Sequence, residues 1–541
     1  MSSVPIADRL RTYVTPSSPL GPSDAAQITD DEVAARLFDI HNQSFYKLLR
    51  RDLSVLIGRR GSGKTALLNS YKYRKFLDRD GTPATVGNTS DFRSYDVVID
   101  AVTYKQFEDM QKLVVRDPER FRTIEAVVDD WESLITDYFF AKFIVEEVDG
   151  GRKTEAIVTL NDYLHHDEDD YKRDVREMVW GRSLREKIKA LFHLHGDHHA
   201  NRLNRADALE VAVRHLDNTK RRALVVFDSM DEYDVGNVTF NRTLGALIRF
   251  ISHFNSRQDR VKIKLGLPSE IFPEVTRASA NALKDLINVD QLSWTAIELA
   301  QIAAHRFRLF LELYDPDTAV GLNDLDLDRR ADVHEFWTQF FPKVQLNRYG
   351  EEEEPLTYIL RHTQLLPRQF LVIVQRIIMR SYAELGHYRK CQSSSIAEAI
   401  EGIEPLIASE ILHAFAHVYP FAEALCRPVF GDFPTVFSFD ELENKWRKKG
   451  RPVAKVHVPD LDVAEFTEMV VRMGIVGVGQ EEKDRYYEGS FAYDSLAPLS
   501  IGEGNALCLH PIFSRHFNAA GNDKKKAVIP KGVAGIRWGG R

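Results

Sequence analysis

The run Gly58-Arg59-Arg60-Gly61-Ser62-Gly63-Lys64-Thr65 matches GxxxxGK[ST] and constrains the fold more than any other segment. Leu53, Val55, Leu56 and Ile57 precede it as a short apolar run, and Ala66-Leu67-Leu68 opens a helix after it. Strand, glycine loop and helix in that order predict an α/β phosphate-loop sheet, parallel, with helices on both faces. The glycines at 58, 61 and 63 let the backbone curl. Successive N–H groups of the run from Gly58 through Arg59, Arg60, Gly61, Ser62, Gly63, Lys64 and Thr65 to Ala66 then face phosphate oxygens, helped by the positive end of the helix. Lys64 is expected to reach the β- and γ-phosphates, and the Thr65 hydroxyl to bind Mg²⁺. The expected cofactors are ATP and Mg²⁺.

Further strands are expected at Val97–Asp100, Ala223–Asp228 and Val261–Leu267, separated by helices near 104–114, 120–148, 172–218 and 239–255. Past residue 280 the strand signals fade, and amphipathic helices cover 295–315, 366–386 and 392–418. The division predicted is a flexible, Pro- and Ser-rich arm over 1–28 and a nucleotide domain over 29–290 with a helical insertion at 150–218. A helical lid over 291–420, a winged-helix domain over 421–520 and a basic tail over 521–541 complete it. A helix is expected to run from Asp30 to about Arg50, and Glu351–Glu354 to form a solvated loop.

A phosphate loop needs a second acidic site. Leu224-Val225-Val226-Phe227-Asp228 is an apolar strand ending in a carboxylate, placed to organise Mg²⁺. Asp231 and Glu232 follow and could polarise the attacking water.

This D-S-M-D-E box resembles that of signal-transduction ATPases with numerous domains, the NACHT-like and KAP-like group within the AAA+/STAND class. Leu292-Ser293-Trp294, with a helix from Leu299 to Arg306, resembles the start of their helical lid. Leu366-Pro367-Arg368-Gln369 resembles their PR-containing helix start, which implies Arg368 as a γ-phosphate sensor; Arg361 is a second candidate. Leu507–Phe513 resembles the last strand of their winged helix. The loop itself is similar to that of stand-alone bacterial ATPases encoded in antiphage defence loci. The resemblance implies an ATPase switch that oligomerises or engages a separate effector polypeptide, with Arg249 or Arg277 acting in trans. The strand at 262–267 departs from the pattern: it runs into Pro268-Ser269-Glu270 where relatives place an arginine, leaving Ser269 as a polar sensor and pointing to slow hydrolysis. A DNA-handling ATPase of origin-recognition or transposition-helper type shares the same parts and is the alternative. A nucleotide kinase is disfavoured by the acidic box and the long C-terminal half.

Composition bounds the rest. The net charge of −8 argues against a surface devoted to nucleic acid, so Lys445, Arg447, Lys448, Lys449 and Arg451 are read first as part of a hinge and only second as a phosphate-contacting helix. Lys524, Lys525, Lys526, Lys531, Arg537 and Arg541 read as a solvated tail. His193-Leu194-His195-Gly196-Asp197-His198 spells a dinuclear-zinc signature, but a helix precedes it where that chemistry needs a strand, and a polar turn is the favoured reading. Three scattered cysteines make no disulfide framework, no apolar span reaches membrane length, and no signal core begins the chain, so a cytoplasmic location is expected.

Overall fold

The computed structural model describes residues 4–38, 53–77, 95–101, 104–119, 121–166, 184, 203–228, 238–278, 288–483, 486–494, 499, 501, 504–521, 526–534 and 536. The chain divides into two compact units. One comprises Lys47–Gly58 and Lys64–Leu292; the other comprises Met1–Tyr46, Arg59–Gly63 and Ser293–Arg541.

The first unit is built on five parallel strands. They are β1 (Val55–Gly58), β2 (Val97–Ala101), β3 (Ala223–Phe227), β4 (Val261–Pro268) and β5 (Val289–Gln291). Their order is β2-β3-β4-β1-β5. Every residue of β1, β3 and β4 is buried, as expected of parallel strands covered on both faces by crossover helices. The fold is therefore the α/β phosphate-loop type. The fifth strand was not expected; its Val289-Asp290-Gln291 is half-buried and lacks an apolar run. Helices Ile124–Asp149 and Val238–Arg257 pack together, joined by the Trp131 indole N–H donating to the Thr243 carbonyl at 3.0 Å. Within the expected insertion, helices Glu155–His166 and Arg205–Asn218 are present, while His193–His198 lies outside the described residues.

The second unit begins with an N-terminal segment that is not a loose arm. Leu10, Val14 and Leu20 are buried, and the buried Arg306 donates to the carbonyls of Leu20 (3.1 Å), Pro22 (2.8 Å) and Leu37 (3.1 Å). Apolar spacing outweighs the Pro and Ser content there. A helix follows at Asp31–Leu37, and the remainder of the predicted helix, from 39 to about 50, lies outside the described residues; Asp31–Leu37 groups with this unit rather than with the sheet. Helices Ala296–Tyr314, Pro367–Leu385 and Ser393–Ala414 match the expected lid helices. The first starts on a Thr295–Glu298 capping box, and the second ends at Gly386 with φ +72°.

The glutamate run is not wholly a solvated loop. Glu352–Glu353 (β7) pairs with Gln345–Leu346 (β6), the Glu353 carboxylate lies 2.9 Å from Arg361, and Glu354 caps the next helix. Burial raises the Glu354 pKa above the usual carboxylate range.

A second sheet of order β12-β10-β9-β11-β8 closes the chain. Its strands are β8 (Val436–Ser438), β9 (Val476–Glu482), β10 (Tyr486–Ser490), β11 (Ala506–Leu509) and β12 (Ala527–Pro530). Helices Phe439–Lys445, Arg451–His457 and Val463–Arg472 lie between β8 and β9, and β9–β10 is an antiparallel hairpin, the order of a winged helix. The tail is only partly a tail: β12 is fully buried, pairs with β10, and Lys526 donates to the Lys483 carbonyl at 2.8 Å. Lys524, Lys525, Arg537 and Arg541 lie outside the described residues. All three cysteines are free and buried, and burial pushes all three thiols up, Cys391 and Cys508 to about 12. Among the described residues no helix is long and apolar enough to cross a membrane.

Candidate nucleotide site

β1 delivers the chain to Gly58, which stands in register with Pro268 at the end of β4. The Gly58 carbonyl accepts two hydrogen bonds, from the buried Lys64 Nζ at 2.9 Å and from the Ser269 N–H at 3.1 Å. Gly61 (φ +81°) and Gly63 (φ +92°) take the left-handed region, where a side chain would strain the backbone. Between them the Ser62 N–H closes a turn on the Arg59 carbonyl at 3.0 Å. The Ser62 hydroxyl is buried with no hydrogen-bond partner among the described residues. Buried hydroxyls are rarely left so, and an acceptor-rich ligand would satisfy it.

The donor set fits a triphosphate. It offers an ammonium resting on a carbonyl it can leave, an orphaned hydroxyl, and the first turn of the 14-residue helix Lys64–Leu77. Thr65 is half-buried in that turn and Ala66 is buried behind it. Arg60 is exposed.

Asp228 follows directly on β3, separated from β1 by the single strand β4. Its carboxylate lies over Gly266: a Cβ there would stand 3.5 Å from Asp228 Oδ1 and 3.0 Å from Leu68 Cδ1, one turn along the loop's helix. The acid thus shares a sheet face with that helix. Gly266 was missed in the sequence, although a glycine inside a strand of leucine, isoleucine and valine is itself a signal of close approach. Gly266→Val is expected to displace Asp228 and reduce Mg²⁺-supported ATP hydrolysis about tenfold or more, the scale of about 1.4 kcal/mol per decade. Hydrolysis titrated against Mg²⁺ checks this; an unchanged Mg²⁺ curve would contradict it.

Asp231 and Glu232 lie outside the described residues. Ser269 keeps its hydroxyl 3.5 Å from the Glu270 carboxylate. In the first unit Arg249 pairs with Glu125 at 3.0 Å, and Arg277 belongs to the helix Phe272–Ala278. In the second unit the Arg368 guanidinium meets Asp24 at 3.4 Å and Glu410 at 3.2 Å, and its backbone N–H reaches the Gly61 carbonyl at 3.4 Å. Arg361 is held by Glu353. The winged-helix cations divide: Lys445 is half-buried and donates to the Gly431 carbonyl at 2.9 Å, whereas Arg447, Lys448, Lys449 and Arg451 are exposed. They leave a π-helical turn, Trp446–Gly450, which only glycine can close, since a Cβ at 450 would fall 2.2 Å from the Trp446 ring.

The family model described as ORC-CDC6-like matches residues 18–92. Among solved structures, Cdc6p from Pyrobaculum aerophilum aligns over 93% of this chain and 97% of its own, at 12% identity and a TM-score of 0.26. The ORC2 protein of Aeropyrum pernix, solved as ADPNP-ADP complexes, aligns over 90% and 98%, at 12% identity and a TM-score of 0.28. No curated protein matches the chain.

Proposed function

We propose that the chain is a Mg²⁺-dependent ATP-binding and hydrolysing switch of the AAA+ type. The observation that carries this is the loop itself: left-handed glycines at 61 and 63, the orphaned Ser62 hydroxyl, and Lys64 drawn in over the Gly58 carbonyl. The ORC-CDC6-like match, which includes the loop, supports the same reading.

Thr65 and Asp228 would hold Mg²⁺, and the ion would supply charge neutralisation of the phosphates. Lys64 leaves the Gly58 carbonyl to meet the β- and γ-oxygens. Asp231 or Glu232 takes a proton from the attacking water as its oxygen bonds to the γ-phosphorus and the bond to ADP breaks. Glu232→Gln and Asp231→Asn are expected to leave ATP binding intact and slow turnover, by about 10²-fold for the residue that is the base. Steady-state hydrolysis beside equilibrium binding checks this. Wild-type turnover in both variants would remove the acidic pair from the mechanism.

DNA is the partner favoured by the ORC-CDC6-like match, on the origin-recognition reading, and by the exposed Arg447, Lys448, Lys449 and Arg451. If these four meet phosphates, affinity for duplex DNA falls on the order of 10²-fold between 50 and 200 mM salt, from a slope of about −0.9 per contact. Absence of binding at low salt would return the function to the second reading, a homo-oligomer that signals to a separate effector in antiphage defence. That reading is supported by the resemblance of the loop and acidic box.

A further inference from the structure

We infer that Arg59 and Trp294 are positioning residues of the phosphate loop, holding its tip so that affinity for the triphosphate is set from outside the sheet. The inference rests on the nucleotide-binding reading above. The tip, Arg59–Gly63, groups with Ser293–Arg541, and its contacts there are specific.

Arg59 occupies a position of the motif that carries no side-chain requirement, yet it is 7% exposed. Its Nη1 donates to Gln364 Oε1 and its Nη2 to the Arg472 carbonyl at 3.1 Å. The rings of Phe415 and Tyr493 each centre 5.5 Å from the guanidinium carbon, within cation–π range. Gln364 is itself fixed, donating through Nε2 to the carbonyls of Met473 (3.2 Å) and Gly474 (3.3 Å), while its N–H donates to Gln369 Oε1 at 2.7 Å. Gly474 makes room for this arrangement: at φ +70°, a Cβ there would lie 2.7 Å from Gln364 Nε2 and 3.4 Å from Arg59 Nη1.

Trp294 acts on the backbone. Its indole N–H donates to the Ser62 carbonyl at 2.6 Å, and the ring edge lies 3.7 Å from where a Cβ on Gly63 would stand. In a trans peptide the C=O and the next N–H point opposite ways. Holding the Ser62 carbonyl therefore aims the Gly63 N–H away from the indole, and that N–H is one of the loop's phosphate donors. Gly63, with φ +92°, has no side chain to fix its own orientation. The indole supplies what the glycine lacks.

The test is calorimetric titration with Mg-ATPγS of the full chain and of Trp294→Phe, Arg59→Ala and Lys64→Ala. Trp294→Phe keeps the ring and removes the donor. Trp294→Phe, which loses one hydrogen bond, is expected to weaken Kd about tenfold at about 1.4 kcal/mol per decade, and Arg59→Ala, which loses two, by at least about tenfold, each with the stoichiometry unchanged. A merely structural role would instead lower the binding-competent fraction and leave Kd alone. Wild-type binding with an unchanged Kd in both variants would overturn the inference while leaving the nucleotide reading intact. Absence of binding by the wild type would overturn both.

Discussion

Lys64→Ala is expected to lower affinity for Mg-ATP at least about 100-fold, roughly 2.7 kcal/mol, with the fold unchanged. The side chain is buried against the loop's own first carbonyl, Gly58, at 2.9 Å. The carbonyl that its removal leaves is still satisfied by the Ser269 N–H. The loss to the ligand is larger, because charge-assisted bonds to phosphate are roughly twice as strong as neutral ones. Equilibrium binding with circular dichroism on the same samples checks this. Binding within threefold of the wild type would remove Lys64 from the site.

The second large effect concerns stability. Glu147→Gln is expected to lower the free energy of unfolding by about 3 kcal/mol, the lower end for breaking a buried ion pair. The carboxylate is fully buried and accepts from Arg152 Nε at 3.1 Å and Nη2 at 3.2 Å, from His215 Nε2 at 3.0 Å, and from Arg221. It joins the end of helix Ile124–Asp149 and the helix Arg205–Asn218 to the turn that leads into β3. The lower figure applies because Arg152 is 40% exposed and can turn to water. Burial alone would raise the Glu147 pKa, but the hydrogen bonds from Arg152, His215 and Arg221 outweigh it and hold the pKa below 4.5. Its contribution is thus fully present above about pH 4.5 and lost as pH falls through the depressed folded value. Urea denaturation at pH 7 checks the substitution, and repeating it toward pH 4 checks the sign. A Glu147→Gln midpoint equal to the wild type would contradict the account.

The parts of the fold legible in the sequence were those with local signals. Strands β1, β3 and β4 are apolar runs because central parallel strands are buried on both faces, and the loop is written in contiguous residues. The position of Asp228 directly after β3 was legible for the same reason, since it ends an apolar strand. Edge strand β5 was not, since three half-buried residues need no hydrophobic pattern. β12 was hidden behind the lysines at 524–526, although Ala527–Pro530 is entirely buried. The role of Arg59 could not be read at all. Its partners Gln364 and Arg472 lie 305 and 413 residues away, and nothing local distinguishes a buried guanidinium from an exposed one. Gly266 stood between the two cases: its oddity in a strand was visible, but Asp228 as the reason appears only in three dimensions.

The most direct measurement is a titration of the wild-type chain with radiolabelled ATP, with Mg²⁺ and then with the metal chelated. The account predicts saturable binding of one ATP per chain, displaced by unlabelled ATP and weakened by chelation. No saturable binding, or one-to-one binding that Lys64→Ala leaves intact, would contradict it.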